Sequence, residues 1–199
     1  SLIAAVVGSG VAVAGWDGLN TAVVVKVLLA LALSPLLGFV GGFLLMILLF
    51  WVLRRRAPAA VNATGNKLQI ISAAFLSFSH GRNDGQNAMG IIALAWVVYQ
   101  THRLGTPQEL EITSWMIVLA SITIGLGTGL GGWKAIRTLG MRVTRLEPIH
   151  GFAANTTAVA VIEAATSFGM PVSTTHTSAS TIMGVGATRR FSAVRWGVT

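Results

Sequence analysis

Residues 67–100 read KLQIISAAFLSFSHGRNDGQNAMGIIALAWVVYQ, an apolar segment of transmembrane length with a polar cluster in its middle. A carboxylate such as that of Asp84 is costly at bilayer depth, so it usually serves an ion or substrate pathway. Gly81 and Gly85 bracket the Asn-Asp pair, and glycine weakens a helix. We therefore predict a helix broken at Gly81–Gly85, since many secondary transporters build their sites from broken helices at the bilayer midplane.

The composition is that of a membrane protein. Apolar residues make up 53% of the chain and charged residues only 10%, with a mean hydropathy of +0.72; a soluble domain carries about 25% charged residues. The net charge of +8 comes from short basic clusters between apolar runs, so no nucleic-acid partner is expected. The chain has no cysteine, which excludes disulfides. We predict an all-α, polytopic integral membrane protein without a resident cofactor.

The apolar segments set the predicted crossings. The segment 21–53 carries Pro35 and is too long for one untilted span, so we predict a single kinked, tilted helix, with two half-helices as the alternative. Two short runs, 151–170 and 174–188, predict either a helical hairpin that dips into the protein or two crossings. The remaining predicted segments are 2–15, 67–100 and 113–132.

The basic residues orient the chain. Loops 54–67 and 133–150, with the end at 189–195, hold eleven of the fourteen lysines and arginines. The positive-inside rule places these three regions in the cytoplasm, and loop 101–112 outside. Residues 1–12 (SLIAAVVGSGVA) are weakly similar to residues 177–188 (TSASTIMGVGAT). The two segments have opposite predicted orientations, as in an inverted repeat.

Asp84 is the strongest candidate for chemistry. Together with Asn83 and unwound backbone carbonyls it could supply the oxygen ligands of a Na⁺ ion, or it could carry a proton. The alternative is a structural pair with Arg82, which would itself either clamp an oxyanion or only neutralise Asp84.

Other polar residues complete two constellations. At a helix N-terminus, consecutive hydroxyls and free N–H groups suit phosphate or another oxyanion, although one hydroxyl would suffice as a cap. Glu163 lies within an apolar run and is either a coupling group or a residue facing a wet cavity. The predicted substrate-binding residues are Arg82, Asn83, Gln86, Ser173, Thr174 and Thr175; the predicted coupling residues are Asn83, Asp84, Asn87 and Glu163. His80 is predicted to pack or to end a helix.

These motifs resemble those of a known family. The strings FSHGRNDGQNAMG at 78–90, GFAA at 151–154 and PVSTTH at 171–176 look like the PiT family of inorganic phosphate transporters, as does SPLLGF at 34–39. Members have two inverted repeats, each with an Asn-Asp signature and a later Ser/Thr-rich motif ending in His. Only one such signature is present here. We therefore expect residues 1–66 to hold the end of the first repeat and a central helix with its cytoplasmic loop, and 67–199 to hold the second repeat.

The resemblance implies a Na⁺- or H⁺-coupled phosphate symporter that works by alternating access. Asn83 and Asp84 match the signature pair, and 173–175 match the phosphate-side motif. Arg82 stands where the family usually has a small residue, and Asn155 where many members have Glu. The expected partners are phosphate, a coupling cation, the bilayer of a prokaryotic plasma membrane and the missing first repeat, and a homodimer is allowed for.

Two other function classes compete with transport. An intramembrane phosphotransferase would use Asp84 on a lipid headgroup, but such enzymes gather several acidic residues around divalent metals, and only Asp84 and Glu163 lie in apolar spans. We therefore expect no enzyme. A non-transporting scaffold, in which the polar cluster is only a packing device, is the remaining alternative.

Overall fold

The computed structural model describes residues 2–105, 109–133, 147–170 and 172–190, without the side chains of 2, 3 and 18. All regular elements in these ranges are helices, which confirms the all-α prediction. They are α1 (Leu2–Ala14), a 3₁₀ turn (Trp16–Gly18), α2 (Thr21–Leu53), α3 (Pro58–Leu104), α4 (Ser114–Gly131), α5 (Pro148–Ser167) and α6 (Thr174–Ala187). Most of the predicted cytoplasmic loop 133–150, as well as Pro171 and Arg195, lies outside the described residues.

Helix α2 is one continuous helix of 33 residues that contains Pro35, so the single-helix prediction is confirmed over the half-helix alternative. It begins at Asn20, whose side chain accepts a hydrogen bond from the Val23 N–H at 3.3 Å, a typical N-cap. At 1.5 Å per residue it is about 50 Å long, more than enough to cross a bilayer.

The predicted break at Gly81–Gly85 is wrong. Helix α3 runs without interruption for 47 residues, about 70 Å, and the predicted loop 54–66 shrinks to residues 54–57. Pro58 starts the helix, and Gly105, at φ 71°, ends it in the left-handed region, where glycine is favoured. The polar side chains between the two glycines find partners on other side chains and on a neighbouring turn, so the backbone keeps its helical hydrogen bonds.

Helices α5 and α6 pack against each other as a helical hairpin. Of the segment that joins them, the structure describes residues 168–170 and 172–173. Gly169, at φ 63°, allows the chain to leave α5, and the Met170 N–H bonds back to the Ala165 carbonyl at 2.9 Å. That the hairpin dips into a bilayer stays a prediction.

The closest helix packing is between α2 and α6, through glycines. A Cβ placed on Gly42 would lie 2.8 Å from the Thr181 carbonyl oxygen, and one on Gly184 would overlap the Phe39 carbonyl. Small residues that let backbones approach in this way are typical of membrane helices. One buried cluster of five residues joins these helices to α5: Met46, Ile149, Ala153, Ala154 and Val185.

Two described helices, α2 and α4, are long and apolar enough to cross a membrane by length and composition. Both expose large apolar side chains, such as Leu36 and Leu44 on α2 and Val118 and Ile122 on α4. The additional crossings, their orientation and the inverted repeat stay predictions. The proposed boundary between residues 66 and 67 falls inside α3.

Candidate functional site

Asn83 ties the centre of α3 to the turn of the hairpin. Its side chain is only 4% exposed, and its Nδ2 atom donates to the Val172 carbonyl oxygen at 3.2 Å and, more weakly, to Asp84 Oδ1 at 3.4 Å. Val172 directly precedes Ser173. The structure therefore brings the two predicted constellations together, 89 residues apart in sequence.

A small cleft lies beside this contact. It has a volume of about 140 Å³ and is lined by Asn83, Gln86, Asn87, Thr166, Gly169 and Met170. Since one water molecule takes about 30 Å³ in the liquid, the cleft has room for a small, partly hydrated anion. Gln86 and Asn87 are exposed, so their amides remain available to a ligand.

Asp84 lies one residue from the cleft and pairs within its own helix. Its Oδ2 atom is 3.3 Å from Nε2 of His80, one turn earlier, and both side chains are about 40% exposed. The alternative pair between Asp84 and Arg82 is not formed. His80 does not end a helix, as one of its two predicted roles required, because it lies in mid-helix and faces Asp84.

Arg82 reaches across to α5 and pairs with Glu163. In this pairing Arg82 is neither an oxyanion clamp nor the partner of Asp84, which are the two roles predicted for it. Adjacent residues of α3 therefore hold both parts of the hairpin: Arg82 holds α5 and Asn83 holds the turn.

The three hydroxyls at 173–175 do not converge. Ser173 is the N-cap of α6, with its Oγ accepting from the His176 N–H at 3.4 Å. Thr174 is buried, at 4% exposure, whereas Thr175 is exposed. Among the described residues, none of the three lines the cleft.

The structure adds site residues that the sequence did not single out. Thr166 and the turn residues Gly169 and Met170 line the cleft, and the Val172 carbonyl holds Asn83. The position of Thr166, three residues after Glu163, was a usable signal, because such residues share a helix face.

Asn155 has a structural partner. Its Nδ2 atom donates to Ser72 Oγ at 3.3 Å, which links α5 to α3. The amide therefore serves helix packing at the position where the family pattern often has a carboxylate. In the part of the chain that the structure describes, no group of three or more histidines and carboxylates could hold a metal, and the Na⁺ ligands Asn83 and Asp84 stay a prediction.

A second polar cluster lies at the other end of α5. Glu147 pairs with Arg189, and its backbone N–H donates to Nδ1 of the buried His150 at 3.3 Å, closing a capping box. The hydrogen bond from Arg189 holds the pKa of Glu147 below its ordinary value of 4.5. Burial, with the charge of Arg189, lowers the pKa of His150 below 6.5.

We expect this cluster to make stability depend on pH. The pKa of His150 is lower when folded than when unfolded, so below about pH 6.5 the unfolded chain binds the proton first and stability falls. The loss is at most about 1.4 kcal/mol per pH unit for one such group. Gln also suits this capping position, so His150→Gln should flatten the fall in unfolding temperature between pH 7 and pH 5.

The exposed His102 supplies the matched control for that measurement, because His102→Gln removes an imidazole without touching the cap. Equal slopes in the His150→Gln variant and the parent protein would contradict the assignment. Glu147 adds a second loss of stability in the same direction, which begins only below about pH 4.5.

Comparison with known proteins gives consistent matches. Residues 53–199 match the sequence profile of the Phosphate transporter family. The chain is 41% identical over 198 residues to a probable low-affinity inorganic phosphate transporter of Rhizobium meliloti, and 38% identical over 197 residues to one of Bacillus subtilis. It spans 58% of the length of each of these relatives while they match 99–100% of the chain.

A solved structure titled as the sodium-dependent phosphate transporter has a similar fold. The TM-score is 0.80 at 23% sequence identity, and the match covers 95% of this chain and 63% of that one. At this identity the likeness concerns the fold.

Proposed function

Because the chain belongs to the Phosphate transporter family, and so to a membrane protein family of transporters rather than enzymes, we propose that it forms part of a cation-coupled phosphate symporter. The cleft beside Asn83 contributes to the phosphate site. Its amide-rich lining supplies hydrogen-bond donors, which suit an oxyanion without adding full positive charges.

One observation carries this proposal: the nearly complete burial of Asn83 between α3 and the hairpin turn. A buried side-chain amide is stabilised only when its polar atoms are satisfied. Here one donor bond goes to Val172 and the cleft opens beside the same side chain. Binding of an anion in the cleft would therefore act directly on the contact between Asn83 and Val172, which holds the hairpin to α3.

Asp84 is the proposed coupling residue. Its carboxylate has one close imidazole neighbour, His80, and accepts one weak hydrogen bond from Asn83, so it retains lone pairs for a hard cation. The likeness in fold to a structure titled as a sodium-dependent transporter favours Na⁺ over a proton. A cation at Asp84 would also offset its repulsion of an anion in the cleft.

This chain spans 58% of the relatives' length. The rest of the site belongs to the part of the transporter that the chain does not include. We propose that the missing first repeat closes the cleft from the other side, in a prokaryotic plasma membrane, and that the two repeats alternate access to it. The phosphotransferase and scaffold alternatives have no support among the relatives, which are named as transporters.

Phosphate counterflow tests the proposal. Proteoliposomes of the full transporter, loaded with unlabelled phosphate, should take up radiolabelled phosphate in the presence of Na⁺. Loss of a buried hydrogen-bonding amide costs about 1 to 3 kcal/mol, so Asn83→Ala should reduce the rate roughly tenfold to a hundredfold. The exposed Asn62 of the same helix is the control, because Asn62→Ala should leave counterflow unchanged. Counterflow at the parent rate in Asn83→Ala would remove Asn83 from the site.

The predicted topology can be tested separately. Since the chain lacks cysteine, single cysteines report their side of the membrane. We expect the Glu111→Cys variant to react with an impermeant thiol reagent from outside and Arg55→Cys to react only after the inside is opened, because Arg55 lies in a basic loop. Both positions are exposed. The reverse labelling pattern would invert the whole orientation.

A further inference from the structure

The six described helices contain only two carboxylates, Asp84 in α3 and Glu163 in α5. Neither lines the cleft, but each adjoins a residue that does. Asp84 Oδ1 accepts a weak hydrogen bond from Asn83 Nδ2 at 3.4 Å, and Glu163 is one helical turn before Thr166. Each carboxylate adds a negative charge beside the proposed phosphate site, and such charges need a positive partner.

The two carboxylates have partners of different kinds. Asp84 faces the imidazole of His80 at 3.3 Å, and among the described residues no Lys or Arg pairs with it. Glu163 is paired with the guanidinium of Arg82, a planar group that matches the geometry of a carboxylate. The arginine side chain is anchored to α3, directly before Asn83, so its charge cannot leave with the substrate.

From this asymmetry we propose that Arg82 acts as a tethered counter-cation for Glu163, so that no mobile cation is carried at Glu163 and, in this half of the transporter, coupling depends on Asp84 alone. The inference rests on the proposed symport function. It reassigns Glu163, which the sequence had predicted to be a coupling residue, to a charge pair that is complete within the protein.

The pairing explains how the chain tolerates a large cation at position 82. Without a partner, the charge of Arg82 would attract an anion in the cleft directly, which would slow release. With Glu163 bound, the pair is neutral overall. A mobile cation approaching Glu163 would meet the positive charge of Arg82 at close range and be repelled.

The number of Na⁺ ions carried per phosphate tests the proposal. It is read from the membrane potential at which phosphate flux reverses in proteoliposomes of the full transporter. We expect Glu163→Gln to keep the parent number of Na⁺ ions per phosphate, because no ion is carried at Glu163. We expect Arg82→Ala to gain one Na⁺ per phosphate, because Glu163 is then free to bind an ion, and the double variant Arg82→Ala with Glu163→Gln to return to the parent number.

Each contrary outcome overturns the inference. A loss of one Na⁺ per phosphate in Glu163→Gln would make Glu163 a coupling site in the parent protein. An unchanged number in an active Arg82→Ala variant would show that Arg82 does not displace an ion. If Arg82→Ala is inactive or does not insert, Glu163→Gln still decides the question. Absence of Na⁺-driven uptake in the parent protein would instead refute the proposed function, before any substitution is made.

Discussion

Asp84→Asn is expected to abolish cation-coupled phosphate uptake while leaving the protein inserted in the membrane. Asparagine keeps the size of the side chain but removes the negative charge that the coupling cation requires. Loss of one partner of a close charge pair costs about 2 to 5 kcal/mol, and each tenfold change corresponds to about 1.4 kcal/mol. Uptake driven by a Na⁺ gradient should therefore fall by roughly two orders of magnitude, as measured with radiolabelled phosphate.

Two controls separate coupling from structure. Glu111→Gln removes a carboxylate from an exposed loop and should leave uptake unchanged. His80→Gln removes the neighbour of Asp84 but keeps the carboxylate, so the effect should be smaller than that of Asp84→Asn. Normal uptake by Asp84→Asn, with unchanged dependence on Na⁺ and pH, would show that Asp84 has only a structural role.

Gly184→Ala is expected to prevent the correct packing of α2 against α6. The added methyl group would overlap the backbone carbonyl of Phe39, and a backbone atom within a helix cannot move aside as a flexible side chain can. Overpacking in a well-packed interior costs about 1 to 3 kcal/mol and occasionally more, and the backbone clash places this variant at or above that range. The yield of monodisperse protein and its unfolding temperature in detergent measure the effect.

The matched control is a helical glycine in open surroundings. Apart from the local backbone of its own helix, Gly125 in α4 has no atom within 4 Å of the position of an added Cβ, and alanine is favoured over glycine inside a helix by about 1 kcal/mol. Gly125→Ala should therefore be neutral or slightly stabilising. A Gly184→Ala protein with the parent yield and unfolding temperature would contradict the tight helix crossing.

The sequence predicted the helices well where local chemistry decides them. The length of α2 and the presence of two short helices at the end of the described chain follow from apolar runs, whereas a cap at Ser173 was only the alternative to a ligand role. The continuity of α3 did not follow, because glycine propensity and buried polarity argue for a break when only neighbouring residues are considered. The partners of Arg82 and Asn83, namely Glu163 and the Val172 carbonyl, lie in α5 and in the turn before α6, far along the chain.

In the candidate site too, some features follow from local sequence and others depend on distant elements. Asn83 and Asp84 were chosen from residue type and position, and their roles stay a prediction. The neighbourhood of the two motifs was also predicted, and Asn83 does contact Val172. The choice of partners was not, since the pairing of Arg82 with Glu163 depends on the relative placement of α3 and α5. Sequence spacing alone also suggested that all three hydroxyls at 173–175 bind one ligand. Their burial differs: Ser173 is a cap, Thr174 lies in the interior and Thr175 lies at the surface.

Because α3 is unbroken, it can move as one rigid body about its contact at Asn83. From Asn83, about 38 Å of helix extends to Pro58 and about 32 Å extends to Leu104, at 1.5 Å per residue. In a helix without a break, a tilt moves both ends, because no flexible point absorbs the rotation. A rotation of about 10° around Asn83 would swing the two ends in opposite directions by roughly 5 to 7 Å, a displacement obtained from those arm lengths. A small rearrangement at Asn83 would thus displace both ends of the helix.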